Sequence, residues 1–144
     1  MARLDLTGFD ELCEAFSRMS NVPDEVVSKS LTEMEKVAAS KIKASGEAFG
    51  IRDEQSSVHI LDKIKMQKPK KTGTGGYAEV TFTGSRERGK TTTRNAEIAF
   101  VNEYGKTKQQ ARPFVGKAIE ANADAIANAG AQVLFDWQEK TFER

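Results

Sequence analysis

The order of hydrophobic patterns predicts an α+β fold: a small antiparallel sheet with long basic hairpin loops, packed against N-terminal and C-terminal helices. Three observations point there. Val27, Leu31, Met34, Ala38, Ile42, Ser45 and Phe49 recur at steps of three and four residues, the spacing of one helix face. Tyr77–Thr83 and Ala96–Val101 are rich in β-formers and alternate in polarity, as strands do. From Pro113 the helical spacing returns, so strands cluster in the middle and helices at the ends, which argues α+β over an alternating α/β fold.

The elements follow in chain order. Phe9, Leu12, Cys13, Phe16 and Met19 share one face of a first amphipathic helix, with Asp10 and Glu11 at its positive end. Ser20-Asn21 breaks it, and Pro23-Asp24-Glu25 opens the long second helix, with proline where a missing N–H is harmless. Gly46 and Gly50 are expected to fray that helix. A loop and a short helix around Ser57–Lys63 precede a weak strand over Ile64–Gln67. Lys68–Gly76 reads as a flexible turn, Tyr77–Thr83 as a strand, Gly84–Asn95 as a polar loop and Ala96–Val101 as a further strand. In the last helical stretch Val115, Ala118, Ile119, Ala123 and Ile126 share a face. Asn128-Ala129-Gly130 is expected to bend it, and Val133, Leu134, Trp137 and Phe142 continue the apolar side.

Length and composition suit one domain over residues 1–144. Hydrophobic residues make up 38% and charged residues 30%, giving a modest core and a well-solvated surface. Cys13 is the single cysteine, has no partner for an internal disulfide, and lies on an apolar stripe, so it reads as a small core residue. No run approaches the roughly 20 apolar residues of a membrane span, and Met1–Leu6 carries an acid where a signal peptide needs an apolar stretch, so manufacture in a reducing cytoplasm is expected. The net charge of +1 hides an asymmetry: residues 1–62 hold 7 basic and 12 acidic side chains, residues 63–117 hold 13 and 4, and residues 118–144 hold 2 and 5. A basic middle between acidic ends is compatible with nucleic-acid contact and equally with subunits that complement one another.

Gly84-Ser85-Arg86-Glu87-Arg88-Gly89-Lys90-Thr91 matches the phosphate-binding pattern G-x-x-x-x-G-K-[ST]. That pattern works when backbone N–H groups at a helix start cradle the phosphates. Here Thr91–Asn95 is a poor helix former running toward a strand, and too little chain follows for a nucleotide fold, so a basic hairpin loop with a chance match is expected. His59 is the single histidine and sits among Val58, Ile60 and Leu61, a packing context and not a catalytic one. Glu25, Glu33, Glu35 and Glu47 read as a solvated helix face. No catalytic set, metal site or cofactor is expected, and the chain does not read as an enzyme.

Two loops concentrate positive charge. Lys63, Lys65, Lys68, Lys70 and Lys71 lie near the first hairpin, and Arg86, Arg88, Lys90 and Arg94 on the second. Phosphate contact needs such density, but base stacking needs aromatics among the charges, and only Tyr77 is close in sequence. Protein contact, solvation and DNA contact all stay open for Lys68, Lys70, Lys71, Arg86, Arg88, Lys90 and Arg94.

Phe100-Val101-Asn102-Glu103-Tyr104-Gly105 leads through a short polar loop to Ala111-Arg112-Pro113-Phe114-Val115. Local physics reads it as a strand ending near Val101, a positive-φ turn at Gly105, and a helix opened by Pro113, with Phe114 packing back on the sheet and Arg112 reaching Asn102 or Glu103. The residues Glu103, Tyr104, Gly105, Ala111, Arg112, Pro113 and Phe114 also resemble the signature of the phage minor tail component, or tail-completion, family of long-tailed phages and prophages. The opening Leu4-x-Leu6-x-Gly8-Phe9-Asp10-Glu11-Leu12, the long second helix and Val58–Ile64 resemble that family in the same order. The resemblance implies a structural virion protein made in the bacterial host cytoplasm and located in the tail or neck. It implies a ring of copies, commonly six-fold, that completes or terminates the tail at the head–tail junction. Its partners would be itself, the major tail protein and head-closure or connector proteins, with possible passing contact with phage DNA and none with membrane. A prophage-encoded nucleic-acid-binding protein using its basic loops is the alternative.

Overall fold

The computed structural model describes residues 22–51, 59–72 and 75–142. The first amphipathic stretch, Phe9–Met19, lies outside the described residues, as does most of the loop before the short helix. The class is α+β as the sequence predicts, with helices α1 (Asp24–Ala48), α2 (Asn95–Tyr104), α3 (Phe114–Ala121) and α4 (Ala123–Phe142). Six short strands lie between α1 and α2: β1 (Ile64–Met66), β2 (Lys70–Thr72), β3 (Gly75–Tyr77), β4 (Val80–Phe82), β5 (Ser85–Arg88) and β6 (Thr91–Arg94). A single 3-10 turn, Ile60–Lys63, precedes β1.

α1 begins after Pro23, with Asp24 and Glu25 in its positive first turn. It ends in a Schellman motif. The Ile51 amide donates to the Gly46 carbonyl at 2.9 Å and the Gly50 amide to the Glu47 carbonyl at 3.0 Å, while Gly50 holds φ at 68°. Gly46 is therefore buried inside the helix and not a frayed end. Leu61 of the 3-10 turn lies against it.

The strands form three two-stranded antiparallel ladders and no continuous sheet. β1 pairs with β4 in the register Ile64↔Phe82, Lys65↔Thr81, Met66↔Val80. The Gln67 amide donates to the Glu79 carbonyl at 2.8 Å, carrying the ribbon outward to the β2–β3 ladder, where Lys70 faces Tyr77. Pro69 offers no N–H at the junction, and the ladder is interrupted there. The stretch Tyr77–Thr83 is thus split between two strands, and part of the expected loop Lys68–Gly76 is itself hairpin.

The principal correction concerns Ala96–Val101, expected as a strand and found within α2. Its buried positions are Asn95, Ala99 and Asn102, spaced four and three apart on one helical face. Two of the three are polar and the other is small, so the inward face carries no hydrophobic stripe. The large apolar residue Phe100 points outward and mimics strand alternation.

α3 and α4 meet at Asn122, whose side-chain amide donates to the Ala118 carbonyl at 2.8 Å. The expected bend at Asn128–Gly130 is absent: α4 runs unbroken through Gly130, which is buried against Met34 and Ser30 of α1. The Ser30 hydroxyl donates to the Gly130 carbonyl at 2.9 Å, tying the two longest helices together. The core gathers Ile42, Ile51, Ile60, Leu61, Ala99, Phe114 and Ala118, with Ile64, Val80 and Phe82 packed against it.

Glu35 departs from the expected solvated face. It is 4% exposed, its Oε1 meets no hydrogen-bond partner, and the backbone of Glu79 bonds to its carboxylate. Burial raises its pKa above the ordinary 4.5, partly offset by that bond. The folded chain therefore holds this proton more tightly than the unfolded chain. Stability from this group is fully present below the unfolded pKa and is lost as pH rises through the folded value. Glu35→Gln is expected to remove that decline and raise the denaturation midpoint at neutral pH. Urea titrations of both chains across pH 4–8 check it, and parallel curves at all pH values would refute it.

Candidate functional site

The seven residues of the resemblance meet at one corner, where α2 turns into α3. Gly105 terminates α2 with φ 75° and ψ −178°, a region closed to side-chain-bearing residues, and its amide donates to the Val101 carbonyl at 2.8 Å. A Cβ there would stand 2.8 Å from the Ala111 nitrogen and 2.8 Å from the Gln109 carbonyl oxygen. The chain doubles back through a Lys106↔Gln109 bridge, so the approach that demands glycine is the closing of this small loop.

Asn102 and Glu103 then fasten the returning chain. The Arg112 amide donates to the Asn102 carbonyl at 2.6 Å, and the Arg112 guanidinium to the Asn102 Oδ1 at 2.6 Å. Gln109 Nε2 donates to the same Oδ1 at 3.3 Å, and the Asn102 amide donates back to Ile98. Of the two partners expected for Arg112, Asn102 is the one it finds. Glu103 instead accepts from the Val115 amide at Oε2 and from the Gly116 amide at Oε1, both at 2.8 Å. Its carboxylate caps α3 from outside, satisfying two first-turn donors and complementing the helix dipole. Pro113 stands just before α3, and Phe114 is wholly buried, edge-on to Phe82 with centroids 5.8 Å apart. Ala111 is exposed at the loop's return.

Five of the seven residues are thus engaged in the scaffold, while Ala111 and Tyr104 are exposed. Tyr104 is 68% exposed and Phe100, one turn earlier, 63%. Their rings lie against each other with centroids 4.7 Å apart and planes tilted by 49°. With Ala96 they line the outer face of α2, between Arg94 at one end and the exposed Lys106 and Lys108 at the other. This aromatic face was hidden by reading Ala96–Val101 as a strand.

The basic loops divide into two arms. On the first, Lys70 lies over the Tyr77 ring at 5.8 Å from its centroid, Lys68 is exposed beside Pro69, and Lys71 occupies the middle of β2. The second is the β5–β6 ribbon, with the register Arg86↔Thr93 and Arg88↔Thr91 and a turn at Gly89-Lys90. Gly84–Thr91 is accordingly one side and the tip of a hairpin, and the strand–loop–helix geometry of a phosphate cradle is not formed. Arg86 lies opposite Thr93 in the middle of the ribbon. Arg94 belongs to the ribbon's base, ion-paired with Glu97 at 3.0 Å across the first turn of α2.

Asn95, which the sequence placed at the end of a loop, holds that base in position. It is 1% exposed; its side-chain amide donates to the Thr83 carbonyl at 2.7 Å and its backbone amide to the Gly84 carbonyl at 2.9 Å. Among the described residues no cluster of three or more His, Cys, Asp or Glu side chains has metal-binding geometry. No helix among them is long and apolar enough to cross a membrane.

Two substitutions test the corner. Gly105→Ala is expected to lower stability by about 1–3 kcal/mol from backbone strain alone. Glu103→Gln is expected to lower it by about 1–2 kcal/mol, since the amide accepts one of the two N–H groups and presents its own donor to the other. Equilibrium denaturation measures both, and wild-type midpoints would remove the corner's structural role. Compared with family models, with curated proteins and with solved structures, the chain has no significant match to any.

Proposed function

We propose that this chain is a structural virion protein of a tailed phage or prophage, a tail-completion or tail-terminator component that assembles as a ring at the head–tail junction. The reading rests on the residues that resemble the tail-completion signature, and one observation carries it into three dimensions. Those residues build a rigid corner whose outward product is an exposed aromatic pair on a polar rim. Such a surface suits docking against another protein, because large aromatics supply most of the energy of a protein contact when they are buried. The chemistry of the corner is hydrogen bonding and capping, and it is fully used in holding α2 to α3. In this reading the partners are further copies of the chain, the major tail protein and the head-closure or connector proteins.

A second reading, a prophage nucleic-acid-binding protein, is favoured by one specific feature. Ser85–Arg94 contains no apolar side chain and carries Arg86, Arg88, Lys90 and Arg94 against Glu87 alone. Nucleic-acid interfaces are polar and positive in this manner, and a two-stranded ribbon fits a major groove.

Light scattering on the purified chain, alone and with the major tail protein, separates the two. Ring formation, alone or on addition of tail protein, supports the completion role. A persistent monomer indifferent to tail protein, with DNA retention that falls steeply with salt, supports the alternative. Reversing Arg86, Arg88 and Lys90 to glutamate together is expected to weaken association with the tail protein at least tenfold. Unchanged assembly removes the ribbon from the interface.

A further inference from the structure

We propose that the exposed aromatic face of α2 is one half of a head-to-tail contact between copies of this chain, whose other half is the acidic outer face of α4. The inference deepens the ring reading and rests on it. It begins with Phe100 and Tyr104, at 63% and 68% exposure the two most exposed large hydrophobic residues described. An adjacent aromatic pair left in water at the end of a helix closed by Gly105 is a contact surface looking for a cover.

The chain itself carries a surface of matching chemistry. On α4, Asp124, Asn128, Gln132 and Asp136 recur every four residues and Glu139 follows, forming one outer face whose members are all exposed. Phe135 stands on that face at 46% exposure. Asp136 is oriented by the Gln132 side-chain amide at 2.8 Å. The α2 surface is bordered by Lys106 and Lys108, so an apolar anchor with a basic rim faces an apolar anchor with an acidic rim.

Placement makes the pair directional. α4 packs along α1, and α2 packs on α3, β4, β6 and the 3-10 turn, with no extensive contact between α2 and α4. Two different patches on separate parts of one body can satisfy each other only between copies, and such heterologous contacts propagate, into a ring where the rotation closes and into a filament where it does not. A nucleic acid is the less fitting occupant: the two rings lie against each other with centroids 4.7 Å apart and planes tilted by 49°, leaving no gap for a base between them.

The full-length chain is assayed by light scattering at low and high salt, with Tyr104→Ala and Phe135→Ala made separately. Each is expected to weaken self-association at least tenfold while the far-UV circular dichroism spectrum stays that of the wild type, since neither side chain belongs to the buried core. Mixed together, the two variants are expected to form a heterodimer that grows no further, because one carries an intact α4 face and the other an intact α2 face. In a Cys13→Ser background, Thr107→Cys with Asn128→Cys, exposed rim positions that leave Phe100, Tyr104 and Phe135 in place, is expected to give a ladder of disulfide-linked oligomers on mild oxidation with diamide.

Assembly that survives both alanine substitutions, with no ladder, overturns this contact while leaving the ring reading in place. A wild-type chain that stays monomeric at the highest attainable concentration, again with no ladder, also overturns it; the ring reading is then judged by adding tail protein. Oligonucleotide retention by a monomer that Tyr104→Ala abolishes overturns it in favour of base stacking.

Discussion

The β1–β4 and β2–β3 ribbons depend on a single helix. Two-stranded ribbons are marginal in water on their own, and neither of these has more than three residues per strand. α1 supplies the missing layer: it packs against β1, β3 and β4, against the 3-10 turn, and on its other side against α3 and α4. Removing its inward residues, Ala38 and Ile42 above all, would leave both the ribbons and the C-terminal helices without a common surface. The Schellman end at Gly50 turns Ile51 back into the same core, so the helix is fixed in length as well as in position.

Onto that base a second, smaller device is fitted, and it is polar. Asn95 and Asn102 are buried on one face of α2 and bind the chain on either side of it, Asn95 holding Thr83 and Gly84, Asn102 holding Gln109 and Arg112. Buried amides with defined partners fix register more tightly than apolar contacts of similar size, because a misplaced partner leaves a donor or acceptor unsatisfied. α2 is oriented by hydrogen bonds at both ends, with Ala99 as its one buried hydrophobic residue. The Phe100–Tyr104 face is consequently presented in a defined direction.

This division explains what could be read from the residues alone. The long helix was legible because α1 places Ala38 and Ile42 at the expected spacing, and the corner was legible because Gly105, Arg112 and Pro113 each have a narrow set of uses. Phe114 packs on Phe82 and Arg112 reaches Asn102, as local physics required. α2 was illegible because its buried face is Asn-Ala-Asn and its exposed face is aromatic, an inversion of the pattern that marks an amphipathic helix. Glu35 misled for a related reason: periodicity assigns a carboxylate to water, and only the tertiary packing of the β3–β4 connection over α1 shows otherwise. The exposed Phe100–Tyr104 pair was hidden by the same inversion.

The β5–β6 ribbon, pinned at its root by Asn95, behaves as an appendage whose length is independent of the body. The Asn95 side-chain amide on the Thr83 carbonyl and its backbone amide on the Gly84 carbonyl hold the ladder at its root, so residues added near Gly89 would extend the tip without disturbing the core. Side chains alternate across the ribbon, so additions in pairs on each strand preserve its two faces, whereas a single added residue turns everything beyond it over. The reach of the tip can therefore change in steps of two residues per strand while the body stays as it is.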